Sequence, residues 1–102
     1  MVIFNSDAED DLVSILYGLL TWEKHIIELE HARSYLNDIR KECYSINGKT
    51  YHFKTTNPEH KLYGSKIHTY KRNTQTHWYI IYDIDNQENV LINHITSNHI
   101  TR

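Results

Sequence analysis

The side chains that could do chemistry are concentrated between residues 66 and 99. This stretch mixes lysine, arginine, histidine and tyrosine within a few positions of one another, as in the runs KIHTYKR and THWYIIYD. Imidazoles exchange protons near neutral pH, and cationic side chains bind anions. A functional site is therefore predicted on whatever element this stretch forms.

The same stretch predicts three consecutive antiparallel strands joined by two short polar turns. The strands are placed at residues 67–72, 77–84 and 89–96. Successive side chains of a strand point to opposite faces, so parity sorts the candidate residues. In the second strand we expect Trp78, Ile80 and Tyr82 to face a helical layer, and Tyr79 to lie on the opposite, open face.

Pairing the first strand so that Ile67 enters the core places three functional side chains on the open face. His68, Tyr70 and Arg72 would then lie beside Tyr79.

Asn98 and His99 could close this surface from the C-terminal tail. Lys71 has the inward parity, and at a sheet edge its long side chain could still reach solvent. His94 fits either the core or the site, and the pattern does not separate the two.

The preceding residues predict the helices that support this sheet. A short apolar strand at residues 2–5 is followed by Ser6-Asp7-Ala8-Glu9, a capping-box pattern that predicts a helix over residues 7–20. Apolar residues at helical spacing predict a second helix over residues 23–45, which Asn47-Gly48 would end. With the connection at residues 21–24, the two helices form a hairpin on one face of the sheet. Residues 49–65 are predicted to be a basic surface loop carrying His52 and His60.

Composition and charge bound the class of protein. The 102 residues predict a single α+β domain over residues 1–102, in the order strand, two helices, three strands. One cysteine, no apolar run long enough for a membrane span and no signal-peptide pattern predict a cytoplasmic protein with a mature N-terminus. Residues 1–48 hold nine acidic and four basic side chains, whereas residues 49–82 hold one acidic and six basic ones. Such asymmetry is compatible with an anionic partner on the basic side, or with two solvated faces.

The order of elements and the pattern HTYKRN…THWYIIYD…VLINHITSNH resemble the RelE/ParE superfamily of bacterial type II toxins. In that family a helical hairpin packs on a small antiparallel sheet. Its aromatic strand motif matches Trp78 to Tyr82, and its C-terminal polar residues match His94, Asn98 and His99. The resemblance implies either a metal-independent endoribonuclease that cleaves mRNA on the ribosome or a gyrase-inhibiting toxin. In both cases a cognate antitoxin would neutralise the protein, and a homodimer is possible.

Within this resemblance, RNA cleavage requires a base for the 2′-hydroxyl, positive charge for the phosphorane and an acid for the leaving oxygen. The catalytic candidates are His68, Arg72 and His99. The RNA-binding candidates are Tyr70, Lys71, Tyr79, His94 and Asn98.

The sequence also departs from the family pattern, because Tyr79 stands where the family has an arginine. No histidine or cysteine spacing matches a zinc site, and no glycine-rich phosphate loop is present, so neither a metal nor a cofactor is expected. A non-catalytic binding module of the same fold is the alternative from another functional class.

Overall fold

Residues 1–21 and 29–99 are described by the computed structural model. In chain order the elements are β1 (Val2–Phe4), α1 (Ser6–Leu20), α2 (Leu29–Ser45), a 3₁₀ turn (Ile46–Gly48), β2 (Phe53–Lys54), α3 (Pro58–Lys61), β3 (Lys66–Lys71), β4 (His77–Ile84) and β5 (Val90–Ser97). The predicted α+β order is confirmed, with helices packed on one small sheet. The predicted helical residues 23–28 and most of the predicted 21–24 connection lie outside the described residues. Within the described ranges, no helix combines the length and apolar character needed to cross a membrane.

The sheet has five strands in the order β1-β5-β4-β3-β2. The three pairs among β2, β3, β4 and β5 are antiparallel, but β1 runs parallel to β5, with Val2 opposite Val90 and Phe4 opposite Ile92. The sheet is therefore mixed, whereas the resemblance implied an antiparallel one. Parallel pairing requires a long crossover between the two strands, and the chain that includes both long helices lies between β1 and β5.

The core lies between α1, α2 and one face of the sheet. Trp78, Ile80 and Tyr82 of β4 all belong to it, which confirms the parity predicted for this strand. The helices contribute an apolar stripe at helical spacing. Its fully or almost fully buried members include Leu12, Ile15, Ala32, Ile39 and Cys43. Each leucine or isoleucine among them stabilises the fold by roughly 1.5–3 kcal/mol when buried.

The face predicted for the functional side chains of β3 was wrong. His68 pairs with Ile80 and Tyr70 with Trp78, and directly opposite residues of antiparallel strands share a face. His68, Tyr70 and Arg72 therefore lie on the helical side of the sheet, and Ile67 lies on the other side. A shift of one residue in the assumed register reverses every side chain, which is the source of the error.

The face turned away from the long helices is also not open. The chain after β2 forms α3 and passes across this face, so that Ile81 is fully buried. A Cβ atom added to Gly64 would lie 3.0 Å from the Ile81 side chain and 3.0 Å from the carbonyl oxygen of Tyr82. Residues 49–65 therefore contain a second layer and are not only a surface loop, and His60 within them is 6% exposed.

The first helix begins one residue earlier than predicted and has a different cap. The side chain of Asn5, in extended backbone conformation, accepts a hydrogen bond of 2.8 Å from the backbone N–H of Ala8. Ser6 is the first helical residue, so the predicted Ser6–Glu9 capping box does not form. Glu9 instead forms an ion pair with Arg40 of α2.

Candidate active site

Arg72 is held against α2. Its Nη1 lies 2.9 Å from the Asp38 carboxylate and 3.1 Å from the Tyr70 hydroxyl, and its guanidinium carbon lies 3.8 Å from the centre of the Tyr35 ring. Although burial opposes its charge, the hydrogen bonds to Asp38 and Tyr70 raise the pKa of Arg72. These contacts occupy Nη1 and one face of the guanidinium, and they anchor Arg72 to α2.

Both ring nitrogens of His68 have partners. Nδ1 lies 2.8 Å from Nζ of Lys49, and Nε2 lies 2.8 Å from the carboxylate of Glu42. The ammonium group of Lys49 only donates, so Nδ1 must accept and Nε2 carries the proton. With both nitrogens occupied, His68 lacks the free lone pair that a general base requires.

Three other candidates are separated from these two. Asn98 accepts a hydrogen bond from the backbone N–H of His77 and donates one to the carbonyl of Gln75, so it fixes the chain after β5. Lys71 is exposed on the face away from the long helices, opposite His77. Tyr79 lies on the same face and contacts His60 of α3, with ring centres 5.3 Å apart.

His94 and Asp11 form the pair of side chains best arranged for proton transfer. Oδ2 of Asp11 lies 2.7 Å from Nδ1 of His94 and also accepts a hydrogen bond of 2.9 Å from the backbone N–H of Ile95. A proton on Nδ1 that is donated to this carboxylate leaves Nε2 of His94 with its lone pair. Nε2 has no hydrogen-bond partner among the described residues. This arrangement orients an imidazole for general-base work.

Asp11 contacts the edge of β5 where its pairing with β1 ends. β1 pairs with β5 only as far as Ile92, and among the described residues no strand continues this pairing on that side. Asp11 of α1 satisfies the N–H of Ile95 in place of a strand and binds His94 with the same oxygen. The β4–β5 register shifts next to His94: Ile81 pairs with His94, whereas the following residue, Tyr82, pairs with Ile92.

Two further rings support His94 from α3 and the residues after it. Tyr63 stacks on its imidazole, with centres 3.9 Å apart and planes 20° apart. His60 lies nearby with its Nε2 buried and without a hydrogen-bond partner. Burial, and then the proximity of His94, hold the pKa of His60 below its ordinary value of 6.5.

A cavity of about 350 Å³ lies between α1 and the C-terminal half of β5. His94 and His99 both line it, so the structure brings together two of the predicted histidines. His99 Nε2 lies 3.1 Å from Oγ1 of Thr76. The walls are mostly apolar and include Trp78, whose indole N–H donates to the Tyr35 hydroxyl over 2.9 Å. No lysine or arginine lines the cavity among the residues described there.

Sequence reasoning missed Asp11, Thr76 and the Trp78–Tyr35 wall. Asp11 was not among the candidate residues predicted from the sequence. Its spacing to Ile15 and Gly18 does place all three on one side of α1, and this periodicity was the available signal. Nothing in the sequence pattern indicates that the β1–β5 pairing ends at Ile92.

No protein-family model, curated protein or solved structure matches this chain. Within residues 1–21 and 29–99, no group of three or more histidine, cysteine, aspartate or glutamate side chains could hold a metal ion.

Proposed function

We propose that the protein is the toxin of a bacterial type II toxin–antitoxin pair of the RelE/ParE kind. In this proposal it acts in the cytoplasm as a metal-independent endoribonuclease on ribosome-bound mRNA, and a cognate antitoxin protein neutralises it. The α+β order of elements supports the proposal. The observation that carries it is the Asp11–His94 pair beside a cavity that also contains His99.

In the proposed reaction the substrate provides its own nucleophile. His94 Nε2 removes the proton of a ribose 2′-hydroxyl, whose oxygen attacks the neighbouring phosphorus. His99 in its protonated form gives a proton to the leaving 5′-oxygen, so the products are a 2′,3′-cyclic phosphate and a 5′-hydroxyl. Asp11 holds the His94 ring in position and stabilises the imidazolium that forms.

The test is mRNA cleavage in a translating extract. Wild-type protein is expected to produce discrete breaks that end in 2′,3′-cyclic phosphates. Asp11→Asn keeps an oxygen that can accept from Ile95 N–H but removes the negative charge, so cleavage should fall at least about tenfold while the fold is retained. Undiminished cleavage by Asp11→Asn would contradict the assigned role of this pair.

A second candidate is a docking module without catalysis. Arg72 is already paired with Asp38, and the described lining of the cavity has no cation to offer a phosphate.

Intact mRNA together with altered plasmid supercoiling would indicate a gyrase-directed toxin, as the resemblance also implies. Intact mRNA and unchanged supercoiling would favour the docking module.

A further inference from the structure

The cavity beside His94 has the size of a site for one small flat ligand. Its volume of about 350 Å³ is at the lower end of the range of roughly 300–1,000 Å³ that is typical of ligand pockets. α1 forms one wall through Ile15, Gly18 and Leu19, and β5 forms the opposite wall. A nucleobase with its ribose fits such a space, whereas a base pair does not.

The chemistry of the walls favours a neutral aromatic ligand. Trp78 and Tyr35 meet edge to face, with ring centres 6.0 Å apart, and together with the aliphatic side chains they give an apolar interior. Burial raises the pKa of Tyr35, so its hydroxyl stays neutral. Ser14 also lines the cavity, and its hydroxyl has no hydrogen-bond partner in the described part of the chain.

The charged groups at the cavity argue against an ionic ligand in its interior. Asp11 is the single carboxylate of the described lining, and it already accepts from His94 and Ile95. A free anion would meet no lysine or arginine among the described residues that line the cavity. A group that is flat, uncharged and able to form hydrogen bonds at its edge satisfies these walls, and the bases of RNA have these properties.

We infer that this cavity binds a single unstacked base of single-stranded RNA, adjacent to the phosphate that His94 and His99 would process. The inference rests on the proposed function, because it names the part of the substrate that the same site recognises. Enzymes that act on one nucleotide gain selectivity by taking its base out of the stack into such a pocket.

Gly18 offers a way to fill the cavity without disturbing the fold. A Cβ atom at Gly18 has no neighbour within 4 Å, and glycine inside a helix costs about 1 kcal/mol relative to good helix formers. Gly18→Leu should therefore fold at least as well as the wild type while occupying the space of the base. Val13→Leu, at a half-exposed position of the same helix, is the matched control.

The experiment titrates the four nucleoside 3′-monophosphates into the protein and follows the NMR signals of the Trp78 indole N–H and the Ile95 amide. At least one nucleotide should shift both signals saturably in the wild type and in Val13→Leu. Gly18→Leu should weaken this binding at least about tenfold, equivalent to about 1.4 kcal/mol. Inorganic phosphate alone should leave both signals in place.

Equal shifts in Gly18→Leu and in the wild type, or equal shifts with phosphate and with nucleotide, would overturn the base-binding inference. So would mRNA cleavage by wild-type protein that none of the four nucleotides binds, and the proposed function would then stand alone. Saturable, Gly18-dependent binding without mRNA cleavage would support the base site and reject the nuclease function.

Discussion

Histidines of this protein differ in chemical capacity because their partners differ. His68 has a donor at one ring nitrogen and a carboxylate at the other, so it connects α2, β3 and the residues before β2. His94 has a carboxylate at Nδ1, which orients the ring, and no partner at Nε2 among the described residues, so this nitrogen can accept a proton. Residue type and strand position suggested both as candidates, and only the partners distinguish a structural imidazole from a potential base.

Arg72 should contribute to stability and not to catalysis. Arg72→Ala removes the Asp38 ion pair and the contact with the Tyr35 ring, which together should lower the free energy of unfolding by about 1–2 kcal/mol. Cleavage should stay within about twofold of the wild type, since neither contact belongs to the acid–base pair. Urea unfolding and the extract assay measure the two effects. Arg33→Ala, at an exposed position of α2, is the control. A loss of cleavage without loss of stability in Arg72→Ala would show that Arg72 acts on the phosphate.

His60 should make stability depend on pH. Its folded-state pKa lies below the ordinary 6.5, because burial and then His94 disfavour the charged ring. As pH falls through about 6.5, the unfolded chain takes up a proton that the folded protein does not, so the wild type loses stability until pH reaches the folded-state pKa. His60→Phe lacks this loss. Unfolding free energies at pH 7.5, 6.5 and 5.5 should favour the variant increasingly as pH falls, and a constant difference would contradict the assignment.

At the scale of elements, small local contacts decide where segments begin and how closely they approach. Asn5 and Ser6 both have side chains that could cap α1, and the structure selects Asn5, which also donates to Asn93 over 3.2 Å. Gly64 permits the chain after α3 to approach β4 at a distance that a side chain would prevent. Substitutions at the α1 cap and at the glycines test these contacts one element at a time.

The cap of α1 can be identified by two alanine substitutions. Asn5→Ala removes the acceptor for Ala8 N–H and should lower the free energy of unfolding by about 1 kcal/mol. Ser6→Ala should change it by less than about 0.5 kcal/mol, since Ser6 does not serve as the cap. Urea denaturation is the measurement, with Asn5→Asp as the variant that retains an acceptor. A larger cost for Ser6→Ala than for Asn5→Ala would favour the capping box.

Alanine substitutions of Gly64 and Gly18 should change the stability of the fold in opposite directions. Gly64→Ala forces a Cβ against Ile81 and a backbone carbonyl, so it should destabilise the fold by about 1–3 kcal/mol. The Cβ atom of Gly18→Ala meets no neighbour, and alanine is favoured over glycine within a helix. This variant should therefore stabilise the fold by about 0.5–1 kcal/mol. Thermal unfolding of both variants gives the comparison. A neutral Gly64→Ala would mean that the layer over Ile81 packs more loosely than described.

For the whole molecule, the sequence predicted β1, the two long helices and β3 to β5 in the right order, but it missed β2 and α3 and did not predict how the elements pack together. Alternation in β4 correctly predicted that Trp78, Ile80 and Tyr82 face the helices, because a strand with one strongly apolar set has a single favourable orientation. The first strand of the β3–β4 pair has polar and apolar residues of both parities, so its register depends on the turn. The parallel β1–β5 pair, the contact of Asp11 with β5 and the layer formed by α3 depend on contacts between distant parts of the chain.

The candidate site was predictable only in part, because it combines residues close in sequence with one that is distant. His94 and His99 were named from their place near the end of the predicted sheet, and both line the cavity. Asp11 lies 83 residues from His94 in sequence, and no local pattern connects the two. Arg72 was predicted to be catalytic from its residue type and strand position. Its ion pair with Asp38 of α2 depends on how the helix packs on the sheet, which the sequence pattern does not show.

The proposed reaction depends most directly on His94 as the general base, and one variant tests this role. His94→Gln should lower the rate of mRNA cleavage in a translating extract at least about 100-fold, since positioned proton transfer contributes roughly 10²–10⁴. His31→Gln, on the exposed surface of α2, should cleave at the wild-type rate, and circular dichroism should show that both variants are folded. A folded His94→Gln protein that cleaves as fast as the wild type would contradict the account.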